Sequence, residues 1–283
     1  EEDAADRVNS AKSAYSHLRA HDKRSDAYRE FMSLYTNRDL SAGTGLAGYH
    51  FASTDVGSNK YSRAPFNVIK LMIDTVAARV AKFRPRPRYL TDEGDYGLRN
   101  RADRLQKWVD MQFYTTRIYE VAPRVFIDAC IYGMGALKTF RKNDEVCVER
   151  VFPGELLVDE HEAFFDKPHQ LYQTKFITKD VLKAMFPGND EVIEMSSVIS
   201  DTKDDESLEQ SPLVDQVEVV EGWHLRSGPE SSDGRRIVFV SGGILADEPY
   251  VHDDFPFSFV RWMHEPRGFY GIGLAEDLLG IHL

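Results

Sequence analysis

Apolar residues recur at helical spacing in five stretches of the first 135 residues. The first two stretches are interrupted near His21, so they predict a helical hairpin or one broken helix. The three later stretches predict the helical core of this half. The last one contains Pro123, which removes a backbone donor, so we expect a kink or a helix that restarts near Ala122. The stretches are marked by Val8, Ala11, Tyr15 and Leu18; Tyr28, Phe31, Met32 and Tyr35; Ile69, Met72, Ile73, Val76, Val80 and Phe83; Leu98, Ala102, Leu105, Val109 and Phe113; and Ile118, Val121, Ala122, Val125 and Ala129.

From residue 131 onward the pattern alternates, which predicts strands. Residues 136–141 and 145–152 predict a β-hairpin around a turn at 142–144. Thr178 fits the N-cap of a short helix that ends at 186–188. The other predicted strands are residues 156–158, 171–177, 217–225, 236–241 and 257–263. Short strands with tight turns favour a small, mostly antiparallel barrel or sandwich, so the predicted fold class is α+β with a helical N-terminal half.

Two segments have no such pattern. Residues 36–64 are rich in glycine and serine and predict either an arm that lies across a neighbouring subunit or a flexible linker. The acidic residues 200–211 predict a mobile loop. We therefore divide the chain into residues 1–64, with two helices and the arm or linker; a helical part, 65–135; a β-rich part, 136–265; and a C-terminal joint, 266–283.

The C-terminal joint has the pattern of a strand that passes through glycines into a helix. Gly268, Gly271 and Gly273 precede apolar residues at helical spacing within 274–283. A helix of about ten residues is marginal by itself in water. We therefore expect this helix to continue beyond Leu283, in a longer protein, or to pack on a neighbour.

Charge is unevenly distributed along the chain, whose formal net charge is −11. Residues 60–151 contain 18 basic and 11 acidic side chains, whereas residues 189–254 contain 4 basic and 17 acidic ones. The overall acidity argues against a tight DNA-binding protein, because phosphate contacts dominate such affinity. It is compatible with a surface along which DNA slides without sticking.

Arg84, Arg86 and Arg88 alternate with prolines after the third predicted helix. The prolines stop the helix and favour an extended chain. The three arginines form a possible basic interface with nucleic acid or an acidic partner. The simpler interpretation, a helix stop with solvated arginines, is favoured.

No motif of nucleotide chemistry or catalysis is present, so we predict neither a cofactor nor an enzyme. Glycines occur at 268, 271 and 273, which is not the G-x-G-x-x-G order, and no phosphate-binding G-x-x-x-x-G-K-[ST] occurs. The densest groups of potential metal ligands are 159–162 and 252–254. In an extended chain their side chains would point to alternate sides, which leaves only a weak divalent-cation site as the alternative.

The remaining candidate residues favour a packed core. Cys130 and Cys147 lie in apolar surroundings and are expected to be reduced, buried thiols. No run of eighteen apolar residues occurs, so no membrane span is predicted. The aromatic residues at strand spacing favour a core or subunit interface over a platform for stacking bases. They are Trp223, Trp262, Phe257, Phe259, Phe269 and Tyr270.

Two stretches resemble portal (head-to-tail connector) proteins of tailed bacteriophages, most closely those of short-tailed phages. In the first, residues 128–135 end a helix with Tyr132-Gly133-Met134-Gly135, and a hairpin then leads to a proline corner at Pro153. In the second, residues 255–262 lead through Gly268, Gly271 and Gly273 into a helix. The resemblance runs from about residue 66 to 283.

This resemblance implies a non-enzymatic subunit of a ring, commonly of twelve copies, at one vertex of the capsid. Double-stranded DNA passes through such a ring during packaging and ejection, and terminase, capsid protein and tail adaptors bind it. Residues 66–159 would form wing helices and a hairpin, and the β-rich part a small barrel in the wing. The helix-hairpin joint would be Gly133 and Gly135, and the stem joint Gly268, Gly271 and Gly273. The ring would belong to the virion and assemble in the host cytoplasm, without a membrane partner.

Two other classes of protein remain as alternatives. One is a metal-dependent nucleic-acid enzyme that uses Asp159 and Glu162, and the other is a capsid or tail adaptor subunit. If Gly271 acts as a hinge between wing and stem, Gly271→Val should impair assembly more than folding.

Overall fold

The computed structural model describes residues 2–36, 67–91, 95–163, 167–196, 215–228, 230–266 and 268–279. The predicted α+β class is confirmed, because helices dominate the N-terminal half and all strand pairs are antiparallel. The helices are α1 (Glu2–His21), α2 (Arg24–Thr36), α3 (Val68–Phe83), α4 (Tyr96–Thr115), α5 (Ile118–Tyr132), α6 (Glu160–Ala163), α7 (Lys179–Met185), α8 (Asp190–Met195) and α9 (Leu274–Asp277). The strands are β1 (Met134–Lys142), β2 (Glu145–Val151), β3 (Leu156–Val158), β4 (Gln170–Thr178), β5 (Gln216–His224), β6 (Arg235–Val240), β7 (Gly243–Pro249) and β8 (Phe257–Arg261).

The chain forms two compact units, each assembled from separate segments. Unit 1 comprises residues 1–66, 154–255 and 265–269, and unit 2 comprises residues 67–153, 256–264 and 270–283. The segments predicted as an arm or linker and as a mobile loop, 36–64 and 200–211, lie outside the described residues, apart from Thr36 at the end of α2.

Unit 1 is built on a five-stranded antiparallel sheet with the order β3-β4-β5-β6-β7. On one face, Ala11 and Tyr15 of α1 pack on Tyr172, Val220 and Phe239. The opposite face packs on the short helices α7 and α8. That second cluster consists of Leu182, Ile193, Val217, Val219, Val238, Val240 and Leu245.

The prediction of a small barrel is wrong for the described strands, because they form two open sheets and no closed barrel. Successive residues of a strand point to opposite faces. In β5, Val219 and Val220 pack on opposite helical layers. Apolar residues on both faces thus reflect helical cover on both sides, not closure of the sheet on itself.

Unit 2 combines α3, α4, α5 and α9 with a three-stranded sheet of order β2-β1-β8. The hairpin is confirmed, with Ala136 paired to Val151 and Lys142 to Glu145. Strand β8 pairs with β1, so the strands of the predicted β-rich part, 136–265, are divided between two sheets. Helix α5 packs between α3 and β1 and is fully buried at Ala129 and Cys130.

The helices of unit 2 can be compared with the predictions in three places. Helix α5 continues through Pro123 without a restart. In α3, Ile69 and Ile73 are buried, but the predicted core residue Phe83 is 81% exposed. Helix α9 has one turn in the described residues, and residues 280–283 lie outside them.

In unit 1 the predicted helix after Thr178 is confirmed as α7, although the Thr178 side chain makes no capping hydrogen bond. The sequence pattern missed α8 and β7. Helix α8 has only six residues, and β7 ends in the polar run Asp247-Glu248 before Pro249, so neither repeats its period long enough to be recognised.

Candidate functional site

The two glycine stretches that carry the portal resemblance meet within unit 2. Gly133 follows the last residue of α5 and has a φ of 87°, and its amide donates to the carbonyl of Ala129 at 3.0 Å. A Cβ atom at this position would lie 2.2 Å from the carbonyl oxygen of Gly271. No side chain fits between these backbones. We call Gly133, Gly135, Gly271 and Gly273 the glycine junction.

The other side of the glycine junction is held by backbone hydrogen bonds. The amide of Trp262 donates to the Gly133 carbonyl at 3.2 Å. Met263 and Ile272 exchange hydrogen bonds of 3.3 and 3.0 Å, so the chain returns on itself just before Gly273. Strand β8, α5 and the start of α9 are therefore tied together through main-chain atoms.

Gly135 and Gly273 allow the same close approach. A Cβ at Gly135 would lie 2.0 Å from the carbonyl oxygen of Val125, and one at Gly273 would lie 2.8 Å from that of Ile131. Gly268 belongs to unit 1 and has a φ of 137°, so the structure does not bring it into the glycine junction.

This geometry changes what is expected of Gly271. Its φ is 84°, and a Cβ would lie 2.6 Å from the carbonyl oxygen of Met263. Both facts disfavour any side chain, because positive φ is costly for residues other than glycine and a carbonyl cannot rotate away as a side chain can. We therefore expect Gly271→Val to destabilise unit 2 itself, in contrast to the sequence-based expectation that folding would be spared.

Two buried groups, Asp128 and Cys130, lie on α5 in unit 2, and only the burial of Cys130 was predicted from the sequence. Asp128 is 1% exposed and accepts two hydrogen bonds of 2.5 Å from the Arg150 guanidinium of β2. Burial raises the pKa of Asp128, while Arg150 opposes that shift. The sequence contains one signal of this ion pair, namely an acidic residue inside the apolar stripe of α5, because a buried carboxylate needs a partner.

Cys130 is fully buried, and burial raises the pKa of its thiol to about 12. The expected buried, free thiol is thus present at this position. Cys147 is also free but only half-buried, on β2.

Helix α4 carries a second feature of possible functional importance: none of its 20 residues is buried. The predicted core positions Leu98 and Leu105 are exposed at 42% and 41%. Trp108, Met111 and Tyr114 continue from Leu105 at three-residue spacing and are more exposed still. A ridge of this kind on a helix marks a surface suited to a partner.

Basic side chains accompany this apolar ridge. Arg101, Arg104 and Lys107 are exposed on α4, and none of them forms an ion pair with a described residue. At about 100° per residue, they lie on the same side of the helix as Leu105, Trp108 and Met111. Arg99 lies on the other side, with the exposed Asp103. We call the following set the α4 surface: Arg101, Arg104, Lys107, Leu98, Leu105, Trp108 and Met111.

The possible basic interface at Arg84, Arg86 and Arg88 lies in an exposed segment without regular structure. Arg84 ends α3 in the left-handed conformation, with its guanidinium 5.9 Å from the centre of the Tyr119 ring. The Tyr119 hydroxyl donates to the Pro85 carbonyl at 3.1 Å. The helix stop is therefore confirmed, and the segment is fixed to α5 through Tyr119. A binding role of the arginines stays a prediction.

The acidic group at 159–162 was expected to be extended, and that expectation is wrong. Asp159 precedes the one-turn helix α6 and accepts a hydrogen bond from the His161 amide at 2.9 Å. Asp159 and Glu162 line an open cavity of about 560 Å³ beside α1. In the part of the chain that the structure describes, no three His, Cys, Asp or Glu side chains converge as metal ligands would.

The second acidic group and the aromatic residues have structural partners. Asp253 accepts from Arg226 at 3.1 Å, and Asp254 pairs with Lys167. Trp223 is 1% exposed in unit 1, as expected of a core residue. Trp262 belongs to unit 2, where its ring lies 6.2 Å from that of Phe126.

No family model matches the sequence, and no curated protein matches it either. Across the residues that are described, none of the helices combines the length and the apolar character needed to cross a bilayer. What can be said about function therefore rests on the sequence and on the geometry above.

Proposed function

We propose that the protein is a structural subunit of a bacteriophage portal, the ring at one capsid vertex through which double-stranded DNA is packaged and ejected. In this role it would bind terminase, capsid protein and tail adaptors, and it would have no catalytic activity. Helix α9 would be the start of the stem helix, and the glycine junction would join the wing to it.

The glycine junction is the observation that carries this proposal. The two stretches that resemble portal proteins are separated by more than a hundred residues, yet their glycines pack backbone against backbone. Each stretch resembles portal proteins through its own local motif, without reference to the other stretch. Their contact is what a single joint between the wing and the stem would require.

The α4 surface supports the proposal independently. A ring subunit needs large surfaces that are exposed in the single chain and covered in the assembly. Helix α4 provides such a surface, since a 20-residue helix with no buried side chain lacks the packing that stabilises most helices in proteins.

Electron microscopy of the full-length protein in negative stain tests the proposal. We expect closed rings of about twelve subunits, the number that the portal resemblance implies. Monomers or dimers only, over a range of salt and protein concentration, would contradict it.

A second experiment separates a portal from a tail adaptor, which could also form rings. Adaptors bind after packaging, whereas a portal is present while the capsid fills. Immunoblots of capsids purified before DNA entry should therefore contain the protein at a ratio of about one ring per capsid. Its presence in DNA-filled particles alone would favour the adaptor.

A further inference from the structure

Unit 1 exposes a surface whose chemistry complements the α4 surface. Large apolar side chains on α7 and α8 are more than half exposed. Exposed carboxylates flank them at the starts of both helices. We call this set the α7–α8 surface: Val181, Met185, Met195, Asp180, Asp190 and Glu191.

The acidic character of the α7–α8 surface remains after its internal ion pairs are considered. Lys183 pairs with Glu194, and Lys179 pairs with both Glu194 and Asp215. These pairs leave Asp180, Asp190 and Glu191 outside any ion pair within the described residues. The α4 surface has three cations, Arg101, Arg104 and Lys107, that are likewise outside any ion pair within the described residues. Both surfaces therefore combine apolar contact area with uncompensated charge, but the charges are of opposite sign.

We propose that the α4 surface of one copy binds the α7–α8 surface of a second copy. This inference rests on the proposed function, because it names the contact through which a ring would form. Since the two surfaces differ, each copy donates one and receives the other, and the contact repeats head to tail. A symmetric α4–α4 contact would bring three cations against three, which opposes association.

A protein partner is favoured over nucleic acid by the apolar residues. Phosphate binding would use the three cations of the α4 surface, but it would leave Leu98, Leu105 and Met111 exposed to water. Covering these side chains is favourable by roughly 25 cal/mol for each Å² of apolar area removed from water. The exposed Val181, Met185 and Met195 provide a matching apolar partner.

Two variants test the contact, each blocking one surface. Trp108→Glu places a carboxylate where the acidic α7–α8 surface would dock, and Met185→Lys places an ammonium where the basic α4 surface would dock. Neither side chain is buried, so the fold should tolerate both changes. Val251→Glu is the matched control, because Val251 is 71% exposed and belongs to neither surface. Circular dichroism confirms folding of all three.

Sedimentation velocity of the purified full-length protein then measures association. Each blocked variant alone should associate at least about tenfold more weakly than the wild type, while Val251→Glu should behave like the wild type. An equimolar mixture of the two blocked variants should form a one-to-one heterodimer and nothing larger, because one intact copy of each surface remains.

Three results would overturn the inference. The mixture could remain monomeric, Met185→Lys alone could still dimerise, or Trp108→Glu could reduce retention on double-stranded DNA while assembly is unchanged. The second result would indicate a symmetric contact and the third a nucleic-acid surface.

The proposed contact and the portal proposal can fail independently of each other. Rings that form equally well from both blocked variants would refute this contact and leave the portal proposal standing. Heterodimers from the mixture, with a wild-type protein that forms only open chains, would support the contact and refute the portal.

Discussion

A methyl group on Gly133 would lie 2.2 Å from the Gly271 carbonyl oxygen, where the φ of 87° already disfavours a side chain. Gly133→Ala should therefore destabilise unit 2 by more than about 3 kcal/mol. Gly188 shows the cost of a positive φ without the cost of a close backbone approach. Its φ is 99°, and a Cβ there would contact nothing within 4 Å. Gly188→Ala should cost unit 1 only about 1–2 kcal/mol.

The urea dependence of amide hydrogen exchange, read separately for each unit, measures both values. Equal losses for Gly133→Ala and Gly188→Ala would show that φ alone determines the cost and that the close approach of the two backbones does not matter.

Cys130 offers a chemical probe of the glycine junction, because a Cβ at Gly273 would lie 3.0 Å from its carbonyl oxygen. With a pKa of about 12 the thiol is almost wholly protonated at pH 8. Its thiolate is then roughly a thousandfold scarcer than that of an ordinary cysteine. In a Cys147→Ser variant, Cys130 should react with Ellman's reagent only as unit 2 opens.

The control for this reaction is Cys130→Ala, which keeps the half-buried Cys147 as the single thiol of the chain. Its thiol should react promptly in the folded protein. Reaction of Cys130 at a similar rate would mean that the region around the glycine junction opens readily.

At the level of residues, the sequence predicts one joint at Gly133 and Gly135 and another at Gly268, Gly271 and Gly273. The structure shows that at Gly133, Gly135 and Gly271 a Cβ would lie within 2.6 Å of a backbone oxygen. Such a close approach involves residues far apart in the chain. Local pattern contains no information about it.

Among the elements, the hairpin of β1 and β2 shows a turn that its sequence does not optimise. Asn143 and Asp144 both have positive φ, of 50° and 63°, between the paired Lys142 and Glu145. A two-residue turn of this kind favours glycine at its second position. Asp144→Gly should therefore stabilise unit 2 by about 0.5–1 kcal/mol.

Thermal unfolding measures this gain, and Arg141→Ala is the control. Arg141 pairs with Asp144 on the surface, and the double change Arg141→Ala with Asp144→Gly removes that ion pair from the comparison. If the double variant is less stable than Arg141→Ala alone, Asp144 does not strain the turn.

Helices and strands with a long, regular period were predicted well, but what packs against each of their faces was not. The helices α1 to α5 and the hairpin follow from local spacing. The barrel was wrong because alternation does not reveal what covers each face, and in unit 1 helices cover both. Helix α4 has an apolar stripe like that of a core helix, and only the structure shows that this stripe is exposed.

On the scale of the whole molecule, segregated charge distinguishes this chain from one with the same net charge of −11 spread evenly. If opposite charges draw copies together, salt should weaken self-association. The screening length falls from about 10 Å at 0.1 M salt to about 3 Å at 1 M. Over this range we expect association to weaken by about three- to tenfold without being lost, because the apolar part of the contact is not screened.

Light scattering at fixed protein concentration follows this dependence. The double charge reversal Arg101→Glu with Arg104→Glu should remove most of it. Association that grows stronger with salt would show that apolar burial dominates and that charge complementarity adds nothing.

The glycine junction also has a genetic consequence. A defect in side-chain packing can often be repaired by a smaller or larger neighbour elsewhere, but the atoms that a side chain at Gly133 would strike belong to the main chain, which every amino acid shares. A selection for restored function of the Gly133→Ala protein should therefore yield true revertants rather than second-site suppressors at this contact.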